Sequence, residues 1–188
     1  MCNKPAHGLT LIELMVFIVV VGIAANAMLG VFSSLTRSSA NLLPDKQAQA
    51  VASSLMNEIL AQPFTFCDPD DVNSGLATTL SSADCADPLL RENNLTFEAG
   101  ETRNGVTPST QFDNVNDYNG YMSAVVSFPN GSAVVGLSGY TIRIAVASAG
   151  VIAGVPASET LIVTVTVTPP SGAAARLEGV RIRYAPTT

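Results

Sequence analysis

From Leu14 to Phe32 the chain reads LMVFIVVVGIAANAMLGVF, 19 residues without a charge. At about 1.5 Å per residue, a helix of that length is about 28 Å long, close to the thickness of a bilayer's hydrocarbon core. Asn26 is its only strongly polar side chain, and one amide is tolerated in a membrane helix that packs against others. Leu35–Asn41 is more polar, and Pro44 interrupts the helical pattern. A proline deletes one backbone donor and kinks a long helix without necessarily ending it. From Asp45 to Gln62, Ala48, Val51, Ala52, Leu55, Met56, Ile59 and Leu60 recur at helical spacing, with Gln47, Gln49, Asn57 and Glu58 mainly opposite. This predicts an amphipathic helix, stopped by Pro63. Its Met/Leu stripe reads as core rather than as a ligand site.

Between Phe64 and Asn119 the pattern dissolves into turn signals, among them Asp68-Pro69-Asp70-Asp71, Asn73-Ser74-Gly75, Arg103-Asn104-Gly105 and Asn119-Gly120. Beyond Tyr121 it becomes β-like. Tyr121–Phe128, Ser132–Leu137, Tyr140–Ala147, Leu161–Thr168 and Leu177–Tyr184 are the expected strands, and LIVTVTVT alternates most cleanly. In the last of them Val180, Ile182 and Tyr184 share one face, with Arg181 and Arg183 on the other. Strands in sequence joined by short Gly/Pro loops suggest an antiparallel meander. Its apolar face needs a cover, which the helix Asp45–Gln62 supplies. The expected class is α+β, a long N-terminal transmembrane and amphipathic helix packed on an antiparallel sheet.

Composition narrows the function. Charged residues make up 13% of the 188, and mean hydropathy is +0.34. The formal charge is −6 with no Lys/Arg cluster, so a phosphate-binding surface and a nucleic-acid partner are not expected. One histidine, His7, leaves no basis for a Ser/His/Asp or Cys/His mechanism or a His-ligated metal. No enzyme and no cofactor are expected. Ten of the fifteen acids lie between Asp68 and Asp117, offset by Arg91 and Arg103 alone. Clustered acids invite a calcium reading. Asp113-Asn114-Val115-Asn116-Asp117 is nevertheless a poor EF-hand loop, with Val in its third place. The expectation is solvated turn residues and no metal.

The N-terminal run admits two readings. As a secretory signal peptide, Lys4, the core Leu14–Ala24 and Ala25-Asn26-Ala27 would serve as basic region, apolar core and cleavage site. Glu13 abutting the core and the apolar MLGVF after Ala27 oppose it. The other reading rests on Gly8 to Val16, GLTLIELMV. This segment resembles the type IV prepilin signature, with a glycine before the cut and a glutamate five residues into the mature chain. The resemblance makes Gly8 and Leu9 the prepilin peptidase cleavage site, Leu9 the N-methylated residue and Glu13 the assembly residue. The family usually has Phe where this chain has Leu9. A carboxylate beside a bilayer core costs about 2.5–3.5 kcal/mol on insertion scales and normally marks function or a partner. In a stack of parallel helices Glu13 could meet the amine of a neighbour's Leu9. Alone, it is an interfacial residue without a role.

A weaker likeness continues through Gln49–Asp71, Phe112–Tyr121 (FDNVNDYNGY) and Val180–Pro186 (VRIRYAP). These stretches are similar to D-type minor pilins of mannose-sensitive haemagglutinin (MSHA) pili. The resemblance implies a leader at 1–8, a transmembrane and assembly half-helix at 9–34, an amphipathic half at 35–63, and a β-rich periplasmic or extracellular domain at 64–188. It implies prepilin peptidase, other pilin or pseudopilin subunits and the bacterial inner membrane as partners. The expected topology is single-pass with a cytoplasmic N-terminus, then a pilus at the cell surface.

Cleavage after Gly8 removes Cys2 and leaves Cys67 and Cys85, 18 residues apart. Bonded in an oxidising compartment, they would close a loop worth about 3 kcal/mol. The alternative is two unpaired buried thiols. A lipidated Cys2 is excluded by its place before the apolar run. Three functions stay open: a minor pilin, a pseudopilin of a type II secretion machine, and a membrane-tethered periplasmic binding module. Adhesion is conceivable for a tip subunit, but no binding face is legible.

Overall fold

The computed structural model describes residues 10–92 and 100–183. Gly8, Leu9, Cys2 and Tyr184 lie outside them. A helix, α1, runs Leu11–Ala61, and four strands follow: β1 Met122–Ser123, β2 Thr141–Ser148, β3 Thr160–Thr168 and β4 Ala175–Ile182. The chain divides into two units, Met1–Leu43 and Pro44–Thr188.

In the first unit, Leu11–Thr36 is apolar enough to cross a membrane, with mean hydropathy 2.5 and none of it buried. Two of its polar side chains bond within the helix. Asn26 Nδ2 donates to the Gly22 carbonyl at 2.9 Å, and Thr36 Oγ1 to that of Phe32 at 2.8 Å. Such i−4 bonds let a polar side chain sit among apolar ones at little cost.

The second unit is the expected α+β arrangement. All strand pairs are antiparallel, and the sheet order β1-β2-β3-β4 is a meander. Its inner face is a grid set by register. Ile144, Val165 and Leu177 form one row, Val146, Val163 and Gly179 the next, and Ile142, Val167 and Ala175 another. Ala48, Ala52, Leu55, Met56 and Ile59 of α1 join these residues in one buried core. Full burial of each Val, Leu or Ile contributes about 1.5–3 kcal/mol. Facing α1, β4 carries Gly179, whose missing Cβ would lie 2.8 Å from Met56 Sδ and 3.1 Å from Leu60 Cδ1.

The sequence left open which face β4 buries, and one expectation fails. β4 presents Val180 and Ile182 to solvent, and turns Ala175, Leu177, Gly179 and Arg181 inward. Pairing with β3 decides the face, because a one-residue slip exchanges every side chain between faces, and only this register sets glycine under the helix. The inward arginines find partners. Arg181 Nη2 donates to the Gln62 carbonyl at 3.1 Å. The Arg183 guanidinium lies 4.1 and 3.8 Å from the ring centroids of Phe64 and Phe66, and 3.7 Å from Glu159. Burial holds the Arg183 pKa below its ordinary value. The expectation that fails is of full strands at Tyr121–Phe128 and Ser132–Leu137. They keep only two-residue β1 and a single bridge, Ser127 to Ala133. Ser123 Oγ turns the chain back by bonding the Val125 carbonyl at 2.7 Å, and Gly131, Gly136 and Gly139 take positive φ.

Candidate functional site

Glu13 stands in the exposed first turn of α1. Its backbone N–H donates to the Thr10 carbonyl at 3.1 Å and to Thr10 Oγ1 at 3.4 Å. Thr10-x-x-Glu13 has the spacing of a capping box, a local signal that the sequence reading passed over. The glutamate therefore sits favourably at the positive end of the helix dipole, worth about 0.3–1 kcal/mol. Of the processing residues, it alone falls within the described part.

The loop-rich lobe between Phe64 and Tyr121 is a second concentration of chemistry. Cys67 and Cys85 are disulfide-bonded, with Cα atoms 5.5 Å apart. Around this bond the backbone closes through Asp68 N–H to the Leu90 carbonyl and Glu92 N–H to that of Phe66, both 2.9 Å.

Asp70, Asp84 and Asp87 are the exposed turn residues expected from sequence, and other acids of the lobe are not. Asp68, Glu92, Asn114 and Asn116 are fully buried, and Asp71 and Asp117 nearly so. Two acids act as turn organisers. The Asp71 carboxylate accepts from the N–H groups of Asn73 (2.8 Å), Ala86 (3.2 Å) and Asp87 (2.9 Å), and those bonds, Asp87's foremost, hold its pKa down. Asp84 accepts from Ser81 Oγ (3.0 Å) and from the N–H groups of Leu80 (3.0 Å) and Ser81 (2.8 Å), with the same effect. Each carboxylate replaces the peptide acceptors an irregular loop lacks.

Asp68 and Asp117 differ. Burial pushes Asp68 up, and pushes Asp117 up to about 6 against the bonds it accepts from Asn114 and Asp113. Two sets of carboxylates converge here, Asp68 with Asp70 and Asp113, and Glu101 with Asp113 and Asp117. A buried ion pair ties the lobe to α1. Arg103 donates through Nε and Nη2 to the two Glu58 oxygens, each at 2.7 Å, and through Nη1 to the Ser127 carbonyl at 2.8 Å. Tyr118 Oη donates to Glu58 Oε1 at 3.0 Å, and burial raises the Tyr118 pKa. Helical spacing alone puts Glu58 opposite the apolar face of its helix. Its partner is 45 residues away, a distance no local pattern bridges.

Residues 3–25 match the family model described as the prokaryotic N-terminal methylation motif. The match covers the Gly8–Glu13 segment and part of the apolar span, and supports a subunit of the type IV prepilin and pseudopilin kind. It points to a structural subunit rather than an enzyme, and in general terms to prepilin peptidase and other pilins as partners. The exposed apolar helix is consistent with a membrane anchor. Neither a curated protein nor a solved structure matches the chain.

Proposed function

We propose that the chain is a minor pilin-type structural subunit of a type IV pilus of the MSHA kind, cut between Gly8 and Leu9, methylated at Leu9 and assembled through its N-terminal helix. The observation that carries this reading is the coincidence of two features. The methylation motif at 3–25 runs directly into a helix of which no part is buried within its own chain. In this reading residues 1–8 are the leader, 9–34 the membrane and assembly segment, 35–63 the amphipathic half-helix and 64–188 the exported domain. The N-terminus starts cytoplasmic, and the Cys67–Cys85 bond is made in an oxidising compartment. Intact mass and N-terminal sequence of membrane-extracted protein test the processing. A chain beginning at methylated Leu9 is expected, and one beginning at Met28 would mean signal-peptidase cleavage and end the proposal.

Assembly rests on Glu13. Lipid is as apolar as the helix Leu11–Thr36, so leaving lipid for other helices has little hydrophobic drive, and packing with polar pairing must supply the rest. Glu13 accepts the free amine of a neighbour's Leu9, neutralising both charges. Glu13→Ala leaves that amine unpaired in a low-dielectric bundle, a penalty of about 3–5 kcal/mol, while Thr10 still caps the helix. The variant should be inserted and cut, yet be depleted from sheared filaments and retained in the inner membrane, as read by immunoblots of both fractions. Equal incorporation would reduce Glu13 to a capping residue. A deletion strain that keeps its pili and loses secreted hydrolases would assign the chain to a type II secretion machine instead.

A further inference from the structure

The acidic lobe buries the carboxylates of Asp68 and Asp117. Asp68 is fully buried and Asp117 is 1% exposed. Each uses one oxygen on backbone donors. Asp68 Oδ1 accepts from Asp70 N–H at 2.7 Å, and Asp117 Oδ2 from the N–H groups of Asp113 (2.9 Å) and Asn114 (2.6 Å). The other two oxygens, Asp68 Oδ2 and Asp117 Oδ1, are buried with no hydrogen-bond partner among the described residues. Among the described residues, no lysine or arginine forms an ion pair with either aspartate. A buried carboxylate oxygen with neither donor nor counter-charge is strongly disfavoured unless a proton or a cation sits against it.

The geometry favours the cation. Asp68, Asp70 and Asp113 each offer an oxygen within 4.8 Å of the others, and so do Glu101, Asp113 and Asp117. Calcium holds its oxygens at about 2.3–2.6 Å, so two ligands of one ion stand at most about 5 Å apart. Both trios meet that limit, and they share Asp113. A set of oxygens without nitrogen or sulfur suits a hard cation and not zinc. Irregular turns suit calcium's variable coordination better than the strict octahedron of magnesium. Asp70 is exposed and Asp113 half-buried, which gives the ion and its water ligands a way in.

We propose that this carboxylate cluster binds calcium, with Asp113 common to two trios, one anchored by the buried Asp68 and the other by the buried Asp117. The rival occupant is a proton shared between Asp117 and Glu101. The site stands independently of the filament reading, because binding is measured on the isolated chain.

The full chain, in detergent and stripped with a chelator, is titrated with calcium chloride by calorimetry and melted with and without about 10 mM calcium. Saturable binding with Kd of about 10⁻⁴–10⁻³ M is expected, as in extracellular calcium modules, with Tm raised by about 5 °C. Asp113→Asn should weaken binding at least roughly 100-fold while its metal-free Tm holds or rises, since one charge leaves a crowded group. That rise separates loss of a ligand from loss of the fold. Asp84→Asn, outside both trios, should respond to calcium as the wild type does. Magnesium at the same concentration should leave Tm essentially unchanged. The site is overturned by absence of binding up to about 10 mM calcium, by an equal rise with magnesium, or by an Asp113→Asn chain that responds like wild type.

Discussion

Along β3, Leu161, Val163, Val165 and Val167 are fully buried, and the three valines each meet a buried residue of β2 and a partly buried one of β4. Between Phe112 and Tyr118 the buried set is mixed. Val115 and Tyr118 sit beside Asn114, Asn116 and Asp117, with Phe112 and Tyr118 edge-on at 5.0 Å. The sheet is held by burial of apolar area, which is non-directional and tolerates aliphatic exchange. The lobe is held by hydrogen bonds and ion pairs that work only at fixed distances and leave a large penalty when one partner goes. The same unit thus contains a forgiving half and an exacting one.

The sharpest way to break this contrast is at the Glu58–Arg103 pair, which belongs to both halves. Arg103 is 4% exposed, so Glu58→Ala leaves a buried guanidinium without its counter-charge and Tyr118 without its acceptor. Denaturant unfolding of the detergent-solubilised chain should show a loss of about 3–5 kcal/mol. A loss under 1 kcal/mol would mean that water replaces the carboxylate, and the junction would not be exacting. Next in size, Cys67→Ser with Cys85→Ser should cost about 3 kcal/mol and loosen the lobe before the sheet. Hydrogen exchange should therefore accelerate at Asp71 and Asp87 more than at Val163 and Val165. Uniform acceleration would make the two halves one cooperative unit. The smallest effect belongs to the sheet. Gly179→Val drives a branched side chain toward Met56 Sδ and Leu60 Cδ1. Because the Met56 tip can swing aside, the cost should stay at about 1–3 kcal/mol in the same unfolding measurement.

The contrast also explains what could be read from sequence. A period of two or of 3.6 reports one-sided burial, so β2, β3 and the helix face Ala48–Ile59 were legible. The membrane-competent span needed only length and composition, and the Gly8–Glu13 motif is contiguous. The lobe has no period to find. Asp68-Pro69-Asp70-Asp71 reads as a solvated turn, because nothing local reveals that Asp71 gathers three backbone donors from residues 73, 86 and 87. Arg103 meets Glu58 only once the chain is folded. The buried face of β4 was undecided for another reason. Its even positions carry Arg176, Glu178, Val180 and Ile182, its odd ones Ala175, Leu177, Gly179 and Arg181, so apolarity alone does not choose the buried face. Gly179 was the available clue, since a glycine inside a strand signals close backbone approach.

β4 has a consequence that reaches beyond folding. It lies at one end of the sheet order, and among the described residues only β3 pairs with it. A free strand edge is a template for adding further strands, and the β-branched run of β3 behind it is prone to aggregation when unfolded. The Arg176–Glu178 pair, 2.5 Å apart and exposed, stands at the beginning of this edge strand. As a surface ion pair it adds about 0–1 kcal/mol to stability at most. Its value lies in what it repels: a strand docking there must strip water from both charges and set its own side chains against them. For a chain read as a filament subunit, that is a safeguard, leaving polymerisation to the N-terminal helix and keeping the sheet from growing amyloid-like stacks of its own.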